Sequence, residues 1–476
     1  MIIAVLLGIA AMLGFLGVQG QRNLVIGAVV GAVLLMLMLM RPRLATAVVL
    51  FGLYMNLPVV AMRYHDVSPM TATAFPLLLI IPLASYMVFR REKIVLDKTF
   101  VWMFLYLAVQ CVSALFAYNI NYATDAVLQY LVEGILLYFL MVNVIRSETD
   151  LRLATWALVI AAAIMAGIVV YQEVTHTFDN NYGGLAQRLA SFEIGDTQNW
   201  RDRAGGSVGE PNFFAQVLLA VVPLTLFPFW SERSWLKRIL AVALTVVLIG
   251  GIVVTFSRGA SIGLMIMLLV MAYLWRVKPI QIVLGIVGVI LVISMVAPEY
   301  FLRVASIADV QGLVDDTGAR DRSIRGRANE NIAAIQMFLD HMLLGVGPGN
   351  YRALYLEYTQ DIGLYVRFRE RPAHNLYLST AAELGIIGLA TFLALVGVQI
   401  QSLLKFRKEY RDKREEIMYM ATALAISLIA YLVAGLFLHL AYQRYFWILI
   451  ALASATARIG AAKFHDEAEQ HPITTS

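Results

Sequence analysis

Long apolar runs separated by short polar breaks dominate the chain from its first residues. About fourteen of them, each about 17–25 residues long, lie near 2–19, 24–40, 44–62, 73–89, 99–118, 124–145, 151–173, 210–230, 236–255, 259–275, 280–297, 374–401, 417–438 and 442–458. Runs of that length cross a bilayer as helices, because about 20 residues rising 1.5 Å each span the hydrocarbon layer. They are continuously apolar and lack the alternation of a membrane β-barrel strand. Lipid admits only structures that satisfy their own backbone polar groups. The pattern therefore predicts an all-α integral membrane protein, a polytopic bundle of about 12–14 transmembrane helices. Met1-Ile2-Ile3-Ala4 leads straight into the first run without a basic stretch, so that run reads as a helix rather than a cleaved signal.

Two breaks are long, near 174–209 and 298–373. They divide the chain into N-terminal helices over 1–209, central helices over 210–297, a large loop over 298–373, C-terminal helices over 374–458 and a tail over 459–476. Within the large loop, Ile332, Ile335, Phe338, Leu339 and Met342 recur at helical spacing, which predicts an amphipathic helix over 328–342 lying at the membrane interface. Gly345-Val-Gly-Pro-Gly-Asn350 stops that helix. The turn either closes the helix or offers backbone N–H groups to a phosphate. The aromatic stretch Tyr351, Tyr355, Tyr358, Tyr365 and Phe368 suits a bilayer interface or a sugar-binding face.

Charge orients the bundle. Alternate short connections carry Arg41 and Arg43; Arg90, Arg91, Lys93 and Lys98; Arg146 and Arg152; Arg233, Lys237 and Arg238; Arg276 and Lys278; and Lys405, Arg407, Lys408, Arg411, Lys413 and Arg414. The intervening short connections hold only Arg22, Arg63, Arg258 and Arg444. Basic residues in short loops mark the cytoplasmic side, so the nineteen in the first set lie inside and both termini with them. The two long loops then lie outside. Their cations are all arginine, Arg188, Arg201 and Arg203 in the first and Arg303, Arg320, Arg322, Arg325, Arg327, Arg352, Arg367, Arg369 and Arg371 in the second. A guanidinium holds phosphate with two parallel hydrogen bonds, whereas lysine acts as a point charge. An all-arginine outer surface suits a phosphate-bearing ligand or lipid headgroups.

Composition narrows the classes. Of 476 residues 60% are hydrophobic and 14% charged, against about 25% charged in soluble domains. The net charge of +5 sits in the membrane flanks, so nucleic acid is not an expected partner and membrane lipids are. The single Cys111 excludes an internal disulfide and a cysteine metal site. No Walker, dinucleotide-binding, zinc or serine-elbow motif occurs, and Asp315-Asp316 among arginines makes a poor cation site. No metal and no cofactor are expected. Arginines would then neutralise a pyrophosphate leaving group in place of a divalent ion.

His374 follows Arg371-Pro-Ala and opens a transmembrane run. It is a candidate general base or an interfacial helix cap. A helix N-terminus disfavours the imidazolium and so keeps such a base neutral. Arg258, in the hairpin Thr255-Phe-Ser-Arg-Gly, lies so close to the hydrocarbon that it needs a partner, a bound phosphate or the headgroups. Glu210-Pro-Asn212 begins a helix, its polar side chains serving as caps or as ligands for sugar hydroxyls. Glu133 is an intramembrane carboxylate, and Glu383, nine residues past His374, faces elsewhere on its helix.

Several of these segments together resemble the O-antigen ligase family, within a superfamily that includes O-antigen polymerases and protein O-oligosaccharyltransferases. They are Ser257-Arg258-Gly259, Glu210-Pro-Asn212, Gly326-Arg327 before a helix, Asp340 to Asn350, and Ala373-His374-Asn-Leu-Tyr-Leu with Glu383-Leu-Gly. The resemblance covers roughly residues 200–400. It implies a GT-C-like bundle in the bacterial inner membrane with its active site on the periplasmic face. It implies an inverting, metal-independent transfer of O-antigen glycan from undecaprenyl pyrophosphate onto lipid A–core oligosaccharide, in lipopolysaccharide biosynthesis. His374 would be the base on the acceptor hydroxyl. Arg258 and Arg327 would hold the pyrophosphate, with Arg325, Arg203, Arg201, Glu210 and Asn212 as further substrate-binding candidates. A polymerase or a protein O-oligosaccharyltransferase would use the same donor. A transporter or flippase of lipid-linked glycan is the alternative of another class, disfavoured by the scarcity of charge along the runs.

Overall fold

The computed structural model describes residues 35–194, 197–301, 319–361, 371–410 and 415–470. The apolar runs become helices α1 (Pro42–Tyr54), α2 (Leu57–Tyr64), α3 (Pro69–Phe89), α4 (Lys98–Ala114), α5 (Ile120–Val144) and α6 (Glu148–Val174). A hairpin of β1 (Gln187–Ile194) and β2 (Thr197–Gly206) follows. Then come α7 (Pro211–Ser231), α8 (Trp235–Val253), α9 (Arg258–Trp275), α10 (Pro279–Val296), α11 (Ala319–Asp340), α12 (Tyr351–Asp361), α13 (Leu376–Glu409), α14 (Glu416–Ala434) and α15 (Gln443–Gln470). Among the described residues ten helices are long and apolar enough to cross a membrane, or eleven if the bent pair α1–α2 is one span. The chain is an all-α, multi-pass membrane protein. The predicted helix near 2–19 lies outside the described residues, and of the one near 24–40 only residues 35–40 are described, as helix.

Two departures from the apolar pattern have local causes. The predicted helix over 44–62 is bent by 55° between α1 and α2. There Asn56 adopts a left-handed φ of 65° and Pro58 follows, so the helix cannot run through. The outer loop over 174–209 folds into the antiparallel hairpin, which sequence pattern did not reveal. Its pairing has register shifts between Leu189 and Phe192 and elsewhere, and these break the two-residue alternation that marks a strand.

Ion pairs identify the two ends of the bundle. Arg43–Asp150 (2.9 Å), Arg146–Glu92 (3.1 Å), Lys237–Glu232 (2.8 Å) and Arg152–Glu416 lie within or between connections of the lysine- and arginine-rich set, and Lys463–Glu148 (2.9 Å) ties the C-terminal tail to one of them. The more exposed of these pairs, such as Lys237–Glu232, contribute only about 0–1 kcal/mol each. Their value is positional, since they draw that set of helix ends together. The remaining connections, including the hairpin, the α8–α9 turn, the α10–α13 segment and the α14–α15 loop, meet at the other end.

The α10–α13 segment contains the amphipathic helix its apolar pattern predicts, but buries part of its aromatic stretch. In α11 the stripe Ile332, Ile335 and Leu339 is exposed, as is Met342 just past its end, while Ala333, Ala334 and Met337 are buried against the protein. The exposed stripe is the face expected at a membrane interface. Tyr351 and Tyr355 are buried in a cluster with Ala333, Ala334, Met337 and Ala382, so they present no open aromatic face. Tyr365 and Phe368 lie outside the described residues.

The Gly345–Asn350 turn docks on a break in α13. Gly385 there has φ 64° and ψ −167°, a conformation open to glycine alone, and a Cβ on it would stand 2.2 Å from the Leu343 carbonyl oxygen. Val346 N–H donates to the Ala382 carbonyl at 2.9 Å and Ile386 N–H to the Met342 carbonyl at 2.8 Å. Glu383 accepts from the Tyr351 N–H at 3.3 Å, beginning α12. Gly385→Ala is therefore expected to destabilise the protein by about 1–3 kcal/mol, seen as a lowered melting temperature in detergent. An unchanged melting temperature would mean the contact is not maintained.

Candidate functional site

Three helix starts meet at the end of the bundle opposite the ion pairs. Glu210 is the N-cap of α7, its Oε2 accepting from the Asn212 N–H at 2.9 Å, with Pro211 at the first helical position. Ser257 caps α9, whose first residue is Arg258. Asn375 caps α13, its side chain accepting from the N–H groups of Tyr377 and Leu378. His374 therefore stands just outside α13 and is not its cap. Each of these ends carries unpaired N–H groups and partial positive charge.

Arg203 ties two of them together. It is buried in β2, its Nε donates to the Thr255 carbonyl at 2.7 Å, and its guanidinium donates to Asn212 Oδ1 at 2.7 Å. Ser257 Oγ donates to the same Asn212 oxygen at 2.9 Å, and Asn212 Nδ2 donates to Glu210 at 3.2 Å. Burial pushes Arg203 down to about 10; Glu210 opposes the shift, and the cations of Arg327 and Arg258 add to it. Arg203 remains charged at neutral pH. Arg327 on α11 is lowered too, first by burial, with Glu330 and Glu210 opposing and Arg371 adding. A small cavity lies among Asn212, Gln216, Ser257, Arg327, Phe437 and Leu438. Arg203, Arg258 and Arg327 thus bear on one another around Glu210, in a place where little water screens them.

His374 stands beside this cluster. Its Nδ1 is 2.6 Å from Glu330 Oε2, and its side chain is 21% exposed against 1% for Glu330. The other carboxylate oxygen of Glu330 pairs with Arg371 at 2.8 Å, and the Glu330 backbone carbonyl accepts from Tyr351 Oη at 2.7 Å. A carboxylate can only accept, so Nδ1 carries the hydrogen and Nε2 is the basic nitrogen. Glu330 lies one helical turn beyond Arg327, so α11 presents a cation and the orienting carboxylate on one face.

The structure thus brings together Arg203, Glu210, Asn212, Arg258, Arg327 and His374. The side chains of Arg201 in β2 and Arg325 in α11 lie outside the described residues. Glu133, in a π-helical turn of α5, accepts from Gln129 at 3.4 Å, and Glu383 serves α12. Sequence reasoning missed Glu330, whose only signal was its three-residue spacing from Arg327. It also missed Arg371 as a specific partner, and His439. Among the described residues no three metal-ligating side chains come together.

Fold and site define a multi-pass membrane protein with a carboxylate-oriented histidine beside clustered arginines, Arg203 buried and Arg258 and Arg327 part-buried. Residues 243–393 match the family model described as O-antigen ligase, so this segment is similar to that family of ligase- and polymerase-type glycosyltransferases. The match runs from α8 into α13 and includes Arg258, Arg327, Glu330 and His374; Arg203, Glu210, Asn212 and His439 lie outside it. No curated protein matches the chain.

Proposed function

We propose that the protein is an inverting, metal-independent glycosyltransferase that moves a glycan from undecaprenyl pyrophosphate to a hydroxyl of lipid A–core oligosaccharide. It would act at the periplasmic face of the bacterial inner membrane. The observation that carries this reading is the 2.6 Å contact of His374 with Glu330 beside the arginine cluster. Glu330 holds Nδ1–H, so Nε2 takes the proton of the acceptor hydroxyl. The acceptor oxygen bonds to the anomeric carbon as the carbon–phosphate oxygen bond breaks, and its electron pair leaves on the pyrophosphate. Arg203, Arg258 and Arg327 balance that charge, the task a divalent ion performs elsewhere. The negative charge of Glu330 balances the imidazolium.

The test is the purified protein with an undecaprenyl-pyrophosphate glycan and lipid A–core, in excess EDTA. Glycan-extended lipid A–core supports the ligase. A lengthened lipid-linked glycan would make it a polymerase, and modified protein a protein O-oligosaccharyltransferase. Movement of lipid-linked glycan across a vesicle membrane without a new glycosidic bond would make it a flippase.

In the same assay Arg258→Lys is expected to lower the rate about 10²-fold, because an ammonium cannot reproduce the paired donors. Full activity would remove Arg258 from the pyrophosphate site. For the α11 arginines, Arg327→Ala is expected to be the more damaging; an active Arg327→Ala beside an inactive Arg325→Ala would reverse their roles.

A further inference from the structure

The α14–α15 loop carries a histidine, His439, that the transfer step above does not use. Its Nε2 lies 3.3 Å from the guanidinium of Arg352. A guanidinium has only donors, so Nε2 accepts and, in the neutral ring, Nδ1 carries the hydrogen. Burial, then the neighbouring His374 and Arg352, push His439 well below the usual histidine range, which keeps the ring neutral. Its Nδ1 is buried and has no hydrogen-bond partner among the described residues. Buried N–H groups without an acceptor are few in proteins, and each calls for a reason such as a ligand.

The ring is held in place by its neighbours. It meets His374 edge to face, with centroids 5.9 Å apart and planes at 90°, and meets Phe213 in the same way at 5.2 Å. Phe213 adjoins Asn212, and Leu438 lines the cavity that contains Arg327 and Asn212. His439 therefore stands beside the His374 base, and its chain neighbour Leu438 lines the cavity that Arg327 borders.

We infer that His439 donates a hydrogen bond through Nδ1–H to an oxygen of the departing pyrophosphate. The inference rests on the glycosyltransferase reading of the site. The acceptor oxygen–carbon bond forms, the carbon–phosphate oxygen bond breaks, and negative charge grows on that phosphate oxygen. His439 keeps its proton throughout. A fixed neutral donor acts more strongly as that charge develops, so it favours the transition state over the bound substrate.

The test compares His439→Asn with His439→Gln. The carboxamide of asparagine reaches the place of Nδ1 and can still donate there. That of glutamine reaches the place of Nε2 and keeps the contact with Arg352. His439→Gln is expected to lose about 10²-fold in kcat with little change in the KM for the acceptor. It should also bind undecaprenyl pyrophosphate in detergent micelles about tenfold more weakly, while His439→Asn stays near wild type in both. The reverse ranking would make His439 a support for Arg352 and overturn the inference, as would equal kcat and equal binding in wild type and His439→Gln. If His439→Asn does not fold, the binding of the pyrophosphate lipid by His439→Gln, at an unchanged melting temperature, decides alone. Wild-type protein that neither transfers glycan nor binds the pyrophosphate lipid would overturn the functional reading itself, and the inference with it. Wild type that does both, with His439→Gln equal to it, overturns only the inference.

Discussion

His374→Ala is expected to lower glycan transfer by about 10³-fold or more, within the range of a lost general base, and to leave folding and donor binding largely intact. The expectation of a folded variant comes from where the residue sits. The cap of α13 is Asn375, which the substitution does not touch. The imidazole is part-exposed, and the one hydrogen bond described for it is to Glu330. Glu330 keeps its pair with Arg371 after the ring is gone, so the buried carboxylate is not stranded. Donor binding survives because Arg203, Arg258 and Arg327 belong to other elements. Transfer, binding of undecaprenyl pyrophosphate and the melting temperature are measured together. Retained transfer removes His374 as the base. Loss of all three together would make it a structural residue.

The apolar pattern was a good guide to the spans because bilayer thickness imposes a length on each helix, and length is visible in one dimension. Charge likewise separated the two ends, and the pairs Arg152–Glu416 and Arg43–Asp150 join connections assigned to the same side. What the sequence concealed was set by contacts between distant segments. The hairpin at 187–206 depends on an irregular register with no clean alternation. Tyr351 and Tyr355 are buried because α12 folds back on α11, which no aromatic count reveals. Arg258 and His374 were legible as candidates because polar residues beside a span are costly without a purpose. Arg203 was visible only as one of several loop arginines; its bonds to Thr255 and Asn212 single it out. Glu330 was hidden in a run of polar residues, and only the fold of α11 against the start of α13 brings its carboxylate to Nδ1 of His374.

That carboxylate sets the second large effect. Glu330→Gln is expected to lower transfer by about 10²–10⁴-fold with a near-native melting temperature, although the side chain reaches no substrate. A carboxylate can only accept, so it fixes the hydrogen of His374 on Nδ1 and leaves Nε2 basic. A carboxamide of the same shape can turn its NH2 group to Nδ1, which moves the ring hydrogen to Nε2 and ends its use as a base. It also removes the charge that balances the imidazolium. Glu330→Asp keeps the charge but draws the oxygens back by one methylene, so an intermediate rate is expected. Arg371→Ala, which removes only the second partner of the carboxylate, should cost less than Glu330→Gln. The decisive measurement is the double variant. If Glu330 acts through His374, adding Glu330→Gln to His374→Ala should lower the residual rate little further, because residues that work as a unit are not additive. Full additivity would mean that Glu330 serves the reaction by another route, such as holding Arg371 in place, and its assignment as the residue that positions the base would fall.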